Sequence, residues 1–262
     1  MKKIIVILVV VMVLVLGTIG TALAITFGEL DGDNHPYVGM YYFSDWEGNW
    51  RCSGTLVSPT VFLTAGHCTF GAFDARVAFE AEITDASIWH IGTAYAHDGY
   101  NPEWTEFPNT YDVGVVVLDE PIYLGEYGSL PPIGYLEGID VQRVINEQHF
   151  GVVGYGLQQV KPETLEDRVR MCAEPFLVNL KSANNGGYNL QLSNNRGIKG
   201  TGGTCFGDSG GPTFYPPEAN TVVGVTSFGP NGNCEGVSYA YRVDTEVAQA
   251  FLCQHIDELD CP

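Results

Sequence analysis

Cys205-Phe206-Gly207-Asp208-Ser209-Gly210-Gly211-Pro212 sets one hydroxyl between glycines and next to a carboxylate. Glycine permits a tight turn there and lets backbone N–H groups come close to a bound carbonyl. A serine so placed is a candidate nucleophile, and a nucleophilic hydroxyl also needs a base and a group to orient that base. Leu63-Thr64-Ala65-Gly66-His67-Cys68 supplies a histidine at the end of an apolar run. Asp112 comes just before Val113-Gly114-Val115-Val116-Val117-Leu118, which reads as a buried strand. Taken singly, a glycine-rich serine is a turn, a histidine a satisfied core group and an aspartate before a strand a cap.

Around these segments, runs rich in β-branched and aromatic residues recur between glycines and prolines. Tyr37-Phe43, Gly54-Ser58, Ser87-Ala96, Val113-Leu118, Gly151-Tyr155 and Thr221-Phe228 read as strands. Near the end, Asp244 is placed to cap a helix whose Val247, Ala248, Phe251, Leu252 and Ile256 follow three-and-four spacing. The polar stretch from Asn184 to Asn195 reads as a surface loop, and the Gly- and Pro-containing stretch from Tyr127 to Gly138 as a join between two halves.

T-A-G-H-C, D-V-G-V-V-V-L and G-D-S-G-G-P, in this order, resemble the three catalytic segments of the chymotrypsin/trypsin-type serine proteases, and the likeness runs from about Ile25 to Leu252. The resemblance implies an all-β fold, with two packed antiparallel six-stranded β-barrels and a C-terminal helix. The first barrel would take about residues 25–135, and the second barrel with the helix about 136–262. It implies a serine endopeptidase working through an acyl-enzyme. Ser209 would be the nucleophile, His67 the base and Asp112 its orienter, with an oxyanion hole from the N–H groups of Gly207 and Ser209. Gly203, Ser227, Phe228 and Gly229, with Ser238 nearby, would form the substrate pocket. Family members selective for Arg or Lys carry an aspartate at the position of Gly203, so the resemblance points to uncharged, large apolar or aromatic residues before the cut. Glu235 is the acid that a displaced basic preference would use. Cys52–Cys68 and Cys205–Cys234 are the disulfides implied. Cys172, Cys253 and Cys261 match nothing in the family pattern; Cys253 is read as the partner of Cys261, which leaves Cys172 free or intermolecular. The resemblance also pairs a freed Ile25 amine with Asp208.

The same serine fits the G-x-S-x-G elbow of α/β hydrolases, but that fold places its Asp and His after the serine, and only His255 follows here. A silent binding module is the other rival, and it would have no need of all three residues. Residues 1–24, with Lys2, Lys3, an apolar run and Ala22-Leu23-Ala24, read as a signal peptide, the alternative being an uncleaved anchor. Its removal would leave Ile25 first. Two of the 12 basic residues and none of the 31 acidic ones fall in that segment, so the rest carries a formal charge of −21. Such a chain repels nucleic acid and anionic membranes. The expected partners are protein or peptide substrates of a secreted monomer, with no nucleic acid, and no membrane once the signal is cleaved. No cofactor is expected. Glu80, Glu82 and Asp85 have the oxygen ligands that calcium prefers, but they read as an exposed edge, and no metal is expected either.

Overall fold

A computed structural model describes residues 24–139, 148–197 and 200–256. The first half contains β1 (Glu29–Leu30), β2 (Val38–Ser44), β3 (Asn49–Leu56), β4 (Val61–Thr64), β5 (Phe73–Ala78), β6 (His90–Ala96) and β7 (Gly114–Leu118). The second contains β8 (Gly151–Gly154), β9 (Met171–Ala173), β10 (Leu177–Asn179), β11 (Asn189–Ser193), β12 (Arg196–Gly197), β13 (Gly200–Thr201), β14 (Pro212–Phe214), β15 (Val222–Phe228) and β16 (Val237–Arg242). Each strand run expected from the sequence coincides with one of these or overlaps its end.

Strands β2-β3-β4-β7-β6-β5 close a barrel. Its register decides where chemistry can occur. β4 and β7 are antiparallel with Thr64 opposite Gly114, so the chain leaving β4 toward His67 lies beside the chain entering β7 from Asp112. Gly114 is required at this crossing, since a Cβ there would meet the Thr69 side chain.

The second half is an eight-stranded half-barrel in the order β1-β9-β8-β14-β15-β16-β11-β10, rather than a second closed six-stranded barrel. Its end strands β1 and β10 have two and three residues and do not pair with each other. β1 belongs to this sheet although it precedes the first barrel, pairing Glu29 with Cys172. β14 follows the 205–211 turn directly and pairs Pro212 with Val225 of β15, which fixes the serine turn against the end of β15.

The stretch from Asn184 to Asn195 is not a surface loop. It carries β11, whose Leu190 and Leu192 lie in the core, and Asn185, Asn189 and Asn194 are buried too. Its polarity misleads because those amides bond inward: Asn185 Nδ2 to the Asn179 carbonyl and Asn189 Nδ2 to that of Pro108. The C-terminal helix forms over Glu246–Leu252, with Phe251, Leu252 and the following Ile256 in the core shared with the first barrel. Its cap is Thr245, whose side chain accepts from the Ala248 N–H at 3.2 Å. Asp244, the expected cap, is instead held by the buried Arg242 and the Leu136 N–H. A buried guanidinium attracts a carboxylate more strongly than one helix N–H does. Among the described residues no helix is long and apolar enough to cross a membrane.

Candidate active site

β4 ends at Thr64 and the chain turns through Ala65 into the short helix α1 (Gly66–Thr69). First-turn N–H groups of a helix have no partner within it, and that of His67 is taken by Asp112 Oδ1 at 2.7 Å. The imidazole turns onto the same carboxylate, with Nδ1 2.9 Å from Oδ2 and 3.0 Å from Oδ1. Ser227, near the end of β15, donates its hydroxyl to Oδ2 from the other sheet. Asp112 is wholly buried. Burial alone would raise its pKa, but the charge and hydrogen bonds of His67, with Ser227, hold it below the ordinary aspartate value. Burial likewise opposes a charged His67, yet Asp112 outweighs it and the imidazole pKa moves up.

Ser209 stands where the two sheets meet. Its carbonyl accepts from the Ser53 N–H at 2.8 Å, and the Gly210 N–H bonds the Thr226 carbonyl at 2.7 Å. These backbone bonds from opposite sides fix the turn. Gly207 at φ 94° and Gly210 at φ 77° occupy the left-handed region that favours glycine. Ser53, which the sequence reading did not single out, braces the turn further: its hydroxyl donates to the Gly207 carbonyl and accepts from the Tyr155 N–H, each at 2.9 Å. Nothing local marks Ser53 except its place beside Cys52. Ser209 and His67 line the same cleft. Among the described residues the Ser209 hydroxyl makes no hydrogen bond, so it is free toward the cleft.

The disulfides Cys52–Cys68 and Cys205–Cys234 both form. The first ties β3 to α1 and the second closes one side of a pocket. Cys172 is a free thiol whose pKa burial pushes up to about 12. Cys253 is disulfide-bonded, while Cys261, its expected partner, lies outside the described residues.

A cavity of about 310 Å³ opens beside Ser209, with Ser227, Phe228, Gly229 and Ser238 among its lining. Gly203 does not line it: Asn194 lies over this glycine, and a Cβ there would collide with the Asn194 amide oxygen. The Asn194 side chain does line the cavity, with Nδ2 bonded to the Thr204 carbonyl and Oδ1 to the Ser238 hydroxyl, both at 2.8 Å. Among the described residues no carboxylate lines it, and Glu235 is exposed outside it. Phe228 stacks on Tyr239 at 4.5 Å and meets Trp104 at 4.9 Å, a wall of aromatic rings.

Ile25 and Asp208, expected as partners once the Ile25 amine is freed, share no hydrogen bond while Ile25 is joined to Ala24. Ile25 is buried in the core of the second sheet, and Thr26 bonds Gly203. Asp208 is buried and accepts the N–H groups of Gly156 and Cys205, both at 2.8 Å. The peptide nitrogen of Ile25 is here joined to Ala24 and carries no charge. Without a strong cationic partner, burial raises Asp208 to about 7, although those N–H groups and Arg51 draw it down.

Of the acidic residues noted as oxygen ligands, Glu80 accepts the Ile88 N–H on Oε1 at 2.7 Å, while its Oε2 is buried with no hydrogen-bond partner among the described residues.

The trypsin family model matches residues 28–252. Brachyurin from Leptuca pugilator is 30% identical over 193 residues, covering 70% of this chain and 78% of its own. A trypsin from Saccharopolyspora erythraea is 29% identical over 204 residues, covering 75% and 82%. The solved structure of HL collagenase superposes with a TM-score of 0.69 at 19% identity, over 88% of this chain and 97% of that one. With its closed barrel, half-barrel and C-terminal helix, this chain belongs to the trypsin family and is a serine endopeptidase.

Proposed function

We propose that the chain is exported by residues 1–24 and, as a monomer, hydrolyses peptide bonds with Ser209, His67 and Asp112. The observation that carries this reading is the clamp of Asp112 on both the ring and the backbone of His67, in the cleft that holds a free Ser209 hydroxyl. Ser209 Oγ attacks the scissile carbonyl while His67 Nε2 takes its proton. The carbonyl π pair moves to oxygen, where the Gly207 and Ser209 N–H groups receive it. As the oxyanion collapses, His67 gives the proton to the departing amine, leaving an acyl-Ser209. Water then attacks by the same route and restores the hydroxyl. Asp112 keeps Nδ1 protonated and stabilises the imidazolium.

The neutral 310 Å³ pocket receives the residue before the cut. A lysine or arginine there would bury a cation with no counter-charge, so Phe, Tyr, Leu or Met is preferred. Release of residues 1–24 frees the Ile25 amine, which pairs with Asp208 and relieves its buried charge. Covalent labelling by a sulfonyl fluoride, located by mass spectrometry, tests the reading: label on Ser209 with loss of peptidase activity supports it, and an unlabelled, fully active protein refutes it.

A further inference from the structure

A second cavity, of about 710 Å³, shares His67, Phe206 and Ser209 with the first and is otherwise lined by different residues. A peptide with its scissile carbonyl on Ser209 and one side chain in the neutral pocket must run its leaving segment through this second space. Trp50, Arg51, Glu166 and Arg168 stand around it.

Arg51 is the unusual group. It ends the run Asn49-Trp50-Arg51 before the Cys52 disulfide, and its side chain is only 14% exposed. Nη2 lies 3.2 Å from Glu166 Oε1, while Nη1 is buried and has no hydrogen-bond partner among the described residues. Nε packs against the oxyanion turn, 3.2 Å from where a Cβ on Gly207 would be. Burial lowers the Arg51 pKa; Glu166 and Asp208 oppose that, and the like charge of Arg168 adds to it. The cavity's other carboxylate, Asp45, already takes the Trp50 indole and the Glu47 and Gly48 N–H groups on Oδ1.

Arg51 thus meets one carboxylate, the exposed Glu166, with the like charge of Arg168 nearby, and one of its buried N–H groups has no acceptor among the described residues, in a chain whose formal charge is −19. Buried donors are ordinarily paired, and a planar guanidinium fork matches a carboxylate. We propose that Arg51, supported by Arg168, selects substrates carrying Asp or Glu within the first two residues after the cut. This rests on Ser209 being the nucleophile.

The test uses peptides that differ only in Glu or Lys at those two positions, together with a chromogenic anilide of the same residues before the cut, which has none after it. Wild-type protein should cleave the Glu peptides with kcat/KM higher on the order of tenfold, and the ratio should shrink in high salt. Arg51→Gln should bring it close to one, and the exposed Arg168→Glu should lower it. Each ratio is taken within one protein, so a variant with a disturbed oxyanion turn still reports it, and the anilide rate measures the disturbance. A wild-type ratio of one or below with the anilide hydrolysed overturns the proposal alone, as does a ratio unchanged in both variants. Failure to hydrolyse the anilide, with no label on Ser209, overturns the underlying reading and the proposal with it.

Discussion

Asp112 Oδ2 meets the His67 ring at 2.9 Å and accepts the Ser227 hydroxyl as well, so one oxygen joins the first barrel to the second sheet. Ser227→Ala leaves a buried carboxylate short of one donor, a deficit of roughly 1–3 kcal/mol. The expected result is a kcat lowered about tenfold or more with KM little changed, because Ser227 supports the orienting group. A KM increase alone would instead mean that Ser227 contributes only to substrate binding.

Ser209→Ala, His67→Ala and Asp112→Asn should each remove most of the activity, and the double variants should lose scarcely more than the singles, because the three act as a unit in the proposed mechanism. Casein hydrolysis by the purified variants, scaled to folded protein by circular dichroism, measures this. Full activity in Ser209→Ala would exclude the assigned nucleophile.

In the proposed mechanism His67 must be neutral to take the serine proton, and its pKa lies above the ordinary 6.5. Activity should therefore be lost as pH falls through a midpoint above 6.5. Asp112, held low, stays ionised throughout that range. A kcat/KM profile on an amide substrate that stays flat down to pH 5 would contradict the role given to His67.

Asp208 at about 7 has a folded pKa raised above its ordinary 3.8. For a group raised in the folded state, stability is fully present below the unfolded value and is lost as pH rises through the folded one. A chain still carrying residues before Ile25 should thus become less stable between about pH 4 and 7, by on the order of 4 kcal/mol at ~1.4 kcal/mol per pKa unit. A chain beginning at Ile25 should not show that loss if its amine pairs with Asp208 as proposed. Urea melts of the mature form and of one with a single extra Ala at the N-terminus, at pH 5 and 8, compare the two. Equal pH dependence and equal activity would remove the Ile25–Asp208 pair as the switch.

Asn194→Asp places a carboxylate on the lining of the neutral pocket without changing side-chain volume. The expected outcome is new cleavage after Lys or Arg, with cleavage after Phe reduced, in a peptide-library profile. An unchanged profile in a folded variant would mean that Asn194 does not face the bound side chain.

Local sequence alone marks the serine turn with its glycines, the histidine at the end of an apolar strand, the aspartate ahead of a buried one, and the strands β2, β6, β7, β8 and β15 with the end of β3. These are local properties: left-handed turns favour glycine and buried strands need runs of branched apolar residues. Asn194 was hidden because amide-rich sequence looks like loop until its partners are known. Those partners, Thr204 and Ser238, lie 10 and 44 residues away. The Ser53 brace on Gly207 spans 154 residues, and the Arg51 guanidinium against the same turn spans a similar distance. The docking of barrel on half-barrel decided both contacts. A hydrogen bond or a burial cost depends on what another part of the chain brings within about 3 Å, and no local pattern encodes that.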